Sequence, residues 1–151
     1  MERYGFIPVA LVLFWAGFVS SISFMEAWLK FQAAGVTLPL GLSIGKKVFT
    51  ALNRVEWFFL GLFVIYMLLT GLYRQKAVFI VSSVPAAVLL VQTFVLLPEL
   101  VERANRIIQG NPVEDSFFHI AYVVFEVLKV GSLFFLGHLL YKYKKGSIKG
   151  R

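Results

Sequence analysis

The chain has 151 residues, is 59% hydrophobic and 17% aromatic, and has a mean hydropathy of +0.79. Soluble domains are usually about 45–50% apolar, so this excess, gathered into long runs, points to membrane spans rather than one soluble core. Cysteine is absent, which excludes disulfide frameworks, thiolate metal sites and cysteine nucleophiles.

The net charge of +7 does not indicate nucleic acid. The basic residues gather at the ends of apolar runs, the usual topology signal of membrane proteins. No Gly-rich phosphate loop, zinc pattern or RNA-binding aromatic motif accompanies them.

The first apolar run, 6–29, reads as span 1, with Pro8 in its tolerant first turn. It continues past Ser20, Ser21 and Ser23 without an A-x-A-like cleavage site, so it is expected to be a retained span rather than a signal peptide. Glu26 and Lys30 stand i,i+4 near its end. Trp15, Val19 and Ser23 continue the Glu26 face inward, and Trp28 suits an interfacial anchor.

The stretch 32–45, QAAGVTLPLGLSIG, reads as a connection at the membrane surface, because three glycines and Pro39 argue against one continuous helix. From Ser43 a helical pattern resumes. Lys46, Thr50, Asn53 and Trp57 share one face with Glu56 beside it, leading into span 2 at 55–72.

Residues 73–76, YRQK, form a tight polar turn, making spans 2 and 3 antiparallel neighbours. Span 3 covers 77–100, with Pro85 as a candidate kink. Gln92, Glu99, Arg103 and Arg106 share one face if that helix continues past the membrane. Gly110 is its expected stop, followed by Asn111 and Pro112. Glu99, Glu102, Arg103 and Arg106 read best as a solvated extension with modest ion pairs.

Ser116 is a candidate N-cap for span 4, at 118–141. The first half of span 4 carries His119, Tyr122, Glu126 and Lys129, within ~80° on a helical wheel. A charge in mid-span costs roughly 2.5–3.5 kcal/mol on insertion scales. That stripe must therefore face protein or a water-filled pocket. The tail after Leu140, YKYKKGSIKGR, reads as an interfacial anchor followed by a mobile basic end. His138 lies ~29 Å along the helix from His119, too far to share a ligand with it.

Four alternating spans put both termini and the 73–76 turn on one side. That side holds eight basic residues against six on the other, which favours it as cytoplasmic. Glu26, Asn53, Glu56, Glu99, His119, Tyr122, Glu126 and Lys129 then all fall in the extracytoplasmic half. Every helix sends a carboxylate toward that face, which predicts a polar pocket open outward and closed inward by Phe, Leu and Val.

Two stretches, 24–57 and 96–129, resemble a group of small bacterial four-span membrane proteins of unassigned function. The shared pattern is an acidic residue and lysine ending span 1, Asn53-Arg54-x-Glu56 entering span 2, and His119, Tyr122, Glu126 and Lys129 in span 4. The resemblance implies the four-span fold and a bacterial inner-membrane location, and brings no activity.

The expectation is an all-α, integral membrane, four-helix antiparallel bundle of one domain over 1–151, with amphipathic helical connections and both termini cytoplasmic. The leading function is a binding pocket for a cation or small polar ligand, transporter-like, built from those eight residues. Glu26, His119 and Glu126 are the candidate ligands of a divalent metal ion. The Glu-x-x-His motifs of dimetal bundles are missing, so such a site would be mononuclear or atypical. Two alternatives remain: a membrane enzyme acting on a quinone or lipid through Glu126 or His119, and a structural subunit whose Glu126–Lys129 pair only fixes packing. The expected partners are the lipid bilayer and one small ligand. A single bundle is too thin for a wide pore, so transport would call for a homo-oligomer.

Overall fold

The structure is a computed structural model that describes residues 6–111, 113 and 117–149. The described residues are helical apart from short links, with no strand among them. There are four long helices: α1 (Ile7–Gln32), α2 (Leu38–Thr70), α3 (Lys76–Ile108) and α4 (Phe118–Lys149). All four are long and apolar enough to cross a membrane. Only 33% to 39% of each helix's most apolar window is buried, so most of that apolar surface faces outward. This is consistent with a multi-pass membrane protein.

Each helix packs along its two chain-order neighbours, with α1 and α4 closing the ring. Contacting pairs run in opposite directions on adjacent helices. Lys46, Asn53 and Met67 of α2 meet Asn105, Thr93 and Ser82 of α3. Trp15 and Phe31 of α1 meet Glu56 and Gly41 of α2. Across the diagonal the sense is parallel, since Phe49 and Glu56 of α2 meet Tyr122 and Lys129 of α4.

The core follows helix periodicity. Val9, Val12, Ala16 and Val19 are buried on α1, and Leu52, Glu56, Phe59, Phe63 and Met67 on α2. On α4 the buried line is Tyr122, Glu126, Lys129, Leu133, Leu136 and Leu140. The alternating three- and four-residue spacing is the packing stripe of a bundle. Glu126 and Lys129 therefore occupy core positions, continued in one direction by leucines only.

The 32–45 stretch differs from expectation. The link is short, and α2 begins at Leu38, running unbroken through Pro39, Gly41 and Gly45 into the second span. Pro39 sits in the first turn, where its missing N–H costs nothing. The Thr37 hydroxyl accepts from the Leu40 N–H at 3.4 Å. The glycines do not break the helix; they let α1 approach it. A Cβ at Gly41 would overlap the Phe31 ring, and one at Gly45 would lie 3.0 Å from Lys30 Nζ.

At the other bundle end, Gly71 adopts φ +71 and caps α2, its N–H bonding to the Met67 carbonyl. Leu72–Arg74 form a 3-10 turn before α3 starts at Lys76. Gly110 has φ +77 just past α3, as its expected role as a stop requires. The α4 backbone stays helical through Lys149 rather than changing character after Leu140. Gly146 costs only about 1 kcal/mol against alanine, and no proline follows to end the helix. Pro112, the Ser116 cap and the chain's last two residues lie outside the described residues.

Two π-helical turns interrupt the α geometry, Ser21–Glu26 in α1 and Gln92–Leu96 in α3. Each inserted residue turns the helix beyond it by roughly 100° relative to a regular α register. Both lie toward the bundle end that carries the polar residues.

Candidate functional site

All four helices contribute to one buried polar layer. Lys129 of α4, with no exposed surface, is its centre. Its Nζ lies 2.6 Å from Glu56 Oε1 and 3.3 Å from Glu126 Oε2. The same ammonium donates to Gln92 Oε1 at 2.6 Å. Gln92 Nε2 in turn donates to Glu126 Oε1 at 3.1 Å. From α1, Trp15 Nε1 donates to Glu56 Oε1, also at 3.1 Å.

Glu56, Glu126 and Lys129 are 0% to 1% exposed. Burying charges this deeply is costly unless pairing and hydrogen bonds replace water. Here the replacement is incomplete. Glu56 Oε2 and Glu126 Oε2 accept no hydrogen bond. Two carboxylates also share one ammonium.

Above this layer lies a cavity of about 550 Å³ between the ends of all four helices. Its walls include Phe24 and Trp28 of α1, Phe49 of α2, Leu97 and Leu100 of α3, and Val123 of α4. Glu126 and Tyr122 line its deep end. Lys30, Lys46 and His119 line it nearer the helix ends. Ser23, inside the first π turn, also lines it, and its buried hydroxyl has no hydrogen-bond partner. The volume falls in the range of small-molecule sites, about 300–1,000 Å³, and so does the pattern of apolar walls with few polar groups.

Of the eight residues singled out by sequence, Glu56, Tyr122, Glu126 and Lys129 come together. Asn53 is buried but serves a different join: its Nδ2 donates to Thr93 Oγ1 at 2.9 Å, beside Trp57 Nε1 at 3.0 Å. Glu26 turns aside and pairs with Lys30 at 3.1 Å. Glu99 is only half-buried, and His119 is exposed at the cavity edge. The π turns explain Glu26 and Glu99. Both residues stand at or beyond an inserted turn, which rotates them off the face that regular spacing assigns. For the same reason Gln92 is fully buried while Arg106, expected on its face, is exposed and pairs with Glu102.

The trio offered as metal ligands, Glu26, His119 and Glu126, is dispersed in this way. Among the described residues no group of three or more His, Cys, Asp or Glu is placed to hold a metal ion.

Two participants escaped the sequence reading of the cluster. Helical spacing groups Gln92 with Glu99, Arg103 and Arg106, and Trp15 with the Glu26 face. A usable signal existed for both, since each is a hydrogen-bond donor at a core position of an otherwise apolar span. No protein-family model, curated protein or solved structure matches the chain.

Proposed function

We propose that this is a multi-pass bacterial inner-membrane protein that binds a small amphiphilic ligand in the cavity between its outer helix ends. Glu126 is its main polar contact. One observation carries the reading: an apolar cavity of ligand size ends on Glu126, a buried carboxylate that shares one ammonium, Lys129, with Glu56. A packing device alone needs no cavity above it.

The outward-facing apolar surface supports membrane insertion, because every backbone group of a helix is satisfied internally in lipid. On the positive-inside count both termini are cytoplasmic, and the cavity opens to the extracytoplasmic side. The inner half is packed with Val12, Phe63, Leu72, Val78, Leu133 and Leu136, so a bound ligand has no open path onward. Transport in this reading requires helix rearrangement or a second copy of the chain.

The test is thermal unfolding of detergent-purified protein against a panel of aromatic amines, alcohols and acids. The comparison is an Ala104→Trp variant, which adds an indole to the cavity wall. A ligand at a hundred times its Kd stabilises by about 2.7 kcal/mol. Stabilisation of the parent and its loss in the filled variant support the reading. No stabilisation by any member, or an equal effect in Ala104→Trp, overturns it.

A further inference from the structure

We propose that the ligand is a lipophilic organic ammonium ion, and that it binds in exchange for a proton held by the Glu56–Glu126–Lys129 cluster. This rests on the cavity being a ligand site and adds the chemical class of the ligand.

Glu56 and Glu126 are acidic, Lys129 is the one base between them, and all three are out of water. With both carboxyls ionised, the layer carries an uncompensated negative charge in a low-dielectric interior. That state is disfavoured, and the balance is restored by a bound proton or a second cation. The empty cluster therefore holds two carboxylates, one ammonium and one proton. With an ammonium ligand in the cavity it holds two carboxylates and two ammonium groups. Both states are neutral. The ligand's ammonium packs against the Glu126 side chain where it lines the cavity, and the displaced proton leaves to solvent.

The surroundings fit a cation. Phe24, Trp28, Phe49 and Tyr122 give the cavity aromatic faces, to which ammonium groups are attracted. The wall already accepts one, since Lys30 Nζ lies 5.5 Å from the ring centroids of both Phe31 and Phe49. Of the rim bases, Lys30 is paired with the Glu26 carboxylate, whereas Lys46 donates to the neutral Asn105 Oδ1 at 2.6 Å and keeps its charge. The groups facing Glu126 from each helix are few. α2 presents Glu56, α3 the neutral amide of Gln92, and α1 the Trp15 indole through Glu56. α4 itself presents Lys129 and Tyr122, with His119 at the cavity edge. Two π turns, of a kind frequent at functional sites, carry Gln92 beside the cluster and Ser23 in the wall.

The test titrates purified protein with naphthylethylamine and with naphthylethanol, its uncharged counterpart. Heats are recorded at one pH in two buffers of different ionisation enthalpy. The amine is expected to bind the parent more than tenfold tighter than the alcohol, releasing about one proton per ligand. Glu126→Gln is expected to lose that preference and the proton release. Alcohol binding as tight as the amine, or amine binding without proton release, overturns this proposal and leaves the cavity a ligand site. Binding of neither compound overturns the ammonium proposal too. The cavity reading then falls only if the wider panel also fails to stabilise the parent. The parent titrations decide the matter even if Glu126→Gln does not fold.

Discussion

Lys129 and Glu56 meet at 2.6 Å although their helices, α4 and α2, stand diagonally across the bundle. The ion pair therefore crosses the bundle axis and ties together two helices that are not ring neighbours. Around it, Trp15 and Gln92 bring in the remaining two helices.

Removing Lys129 leaves two buried carboxyls without their shared cation. Breaking a buried pair in this way typically costs about 3–5 kcal/mol. Lys129→Met is expected to lose that much stability, read by unfolding in mixed micelles. Adding Glu56→Gln and Glu126→Gln to it should recover most of the loss. An unchanged single variant would mean that the diagonal bridge is not formed.

Trp15→Phe keeps an aromatic ring in the core and deletes the indole N–H that serves Glu56. A hydrogen bond to a charged group contributes roughly 1.5–3 kcal/mol. The expected loss is of that size in the parent and much smaller in a Glu56→Gln background. Equal losses in both backgrounds would assign Trp15 a packing role only.

Gly41 owes its place to Phe31. Gly41→Ala is expected to destabilise by about 1–3 kcal/mol, the usual cost of overpacking. Phe31→Ala should relieve it, giving a favourable coupling in a double-mutant cycle. Additive effects would show that α1 and α2 do not approach as described.

The absence of cysteine makes topology simple to probe. Gln109→Cys, in the exposed link after α3, should react with an impermeant maleimide added to intact cells. Gln75→Cys, just before α3 begins, should react only after lysis. The reverse pattern would invert the orientation, and with it the side to which the cavity opens.

Much of this architecture is legible in the order of residues. Long apolar runs, the glycine stop at Gly110, and the polar stripe on α4 are local properties. They follow from helix length and from side-chain spacing. The Glu126–Lys129 pair was visible because three residues of helix bring the two side chains onto one face. The packing of Val, Leu and Phe on the Leu133 side of the cluster follows the same spacing.

Tertiary structure alone decided who completes the cluster. Two π turns, invisible to fixed 3.6-residue spacing, carry Glu26 and Glu99 off the inward face. Glu56 reaches Lys129 because the bundle places α2 and α4 on a diagonal with parallel register. Gly41 and Gly45 read as helix breakers until the neighbouring Phe31 and Lys30 show that they are points of close approach. Spacing within one helix is set by covalent geometry and can be counted. Which faces of different helices meet depends on how all four pack at once, and that information is shared among residues far apart in the chain.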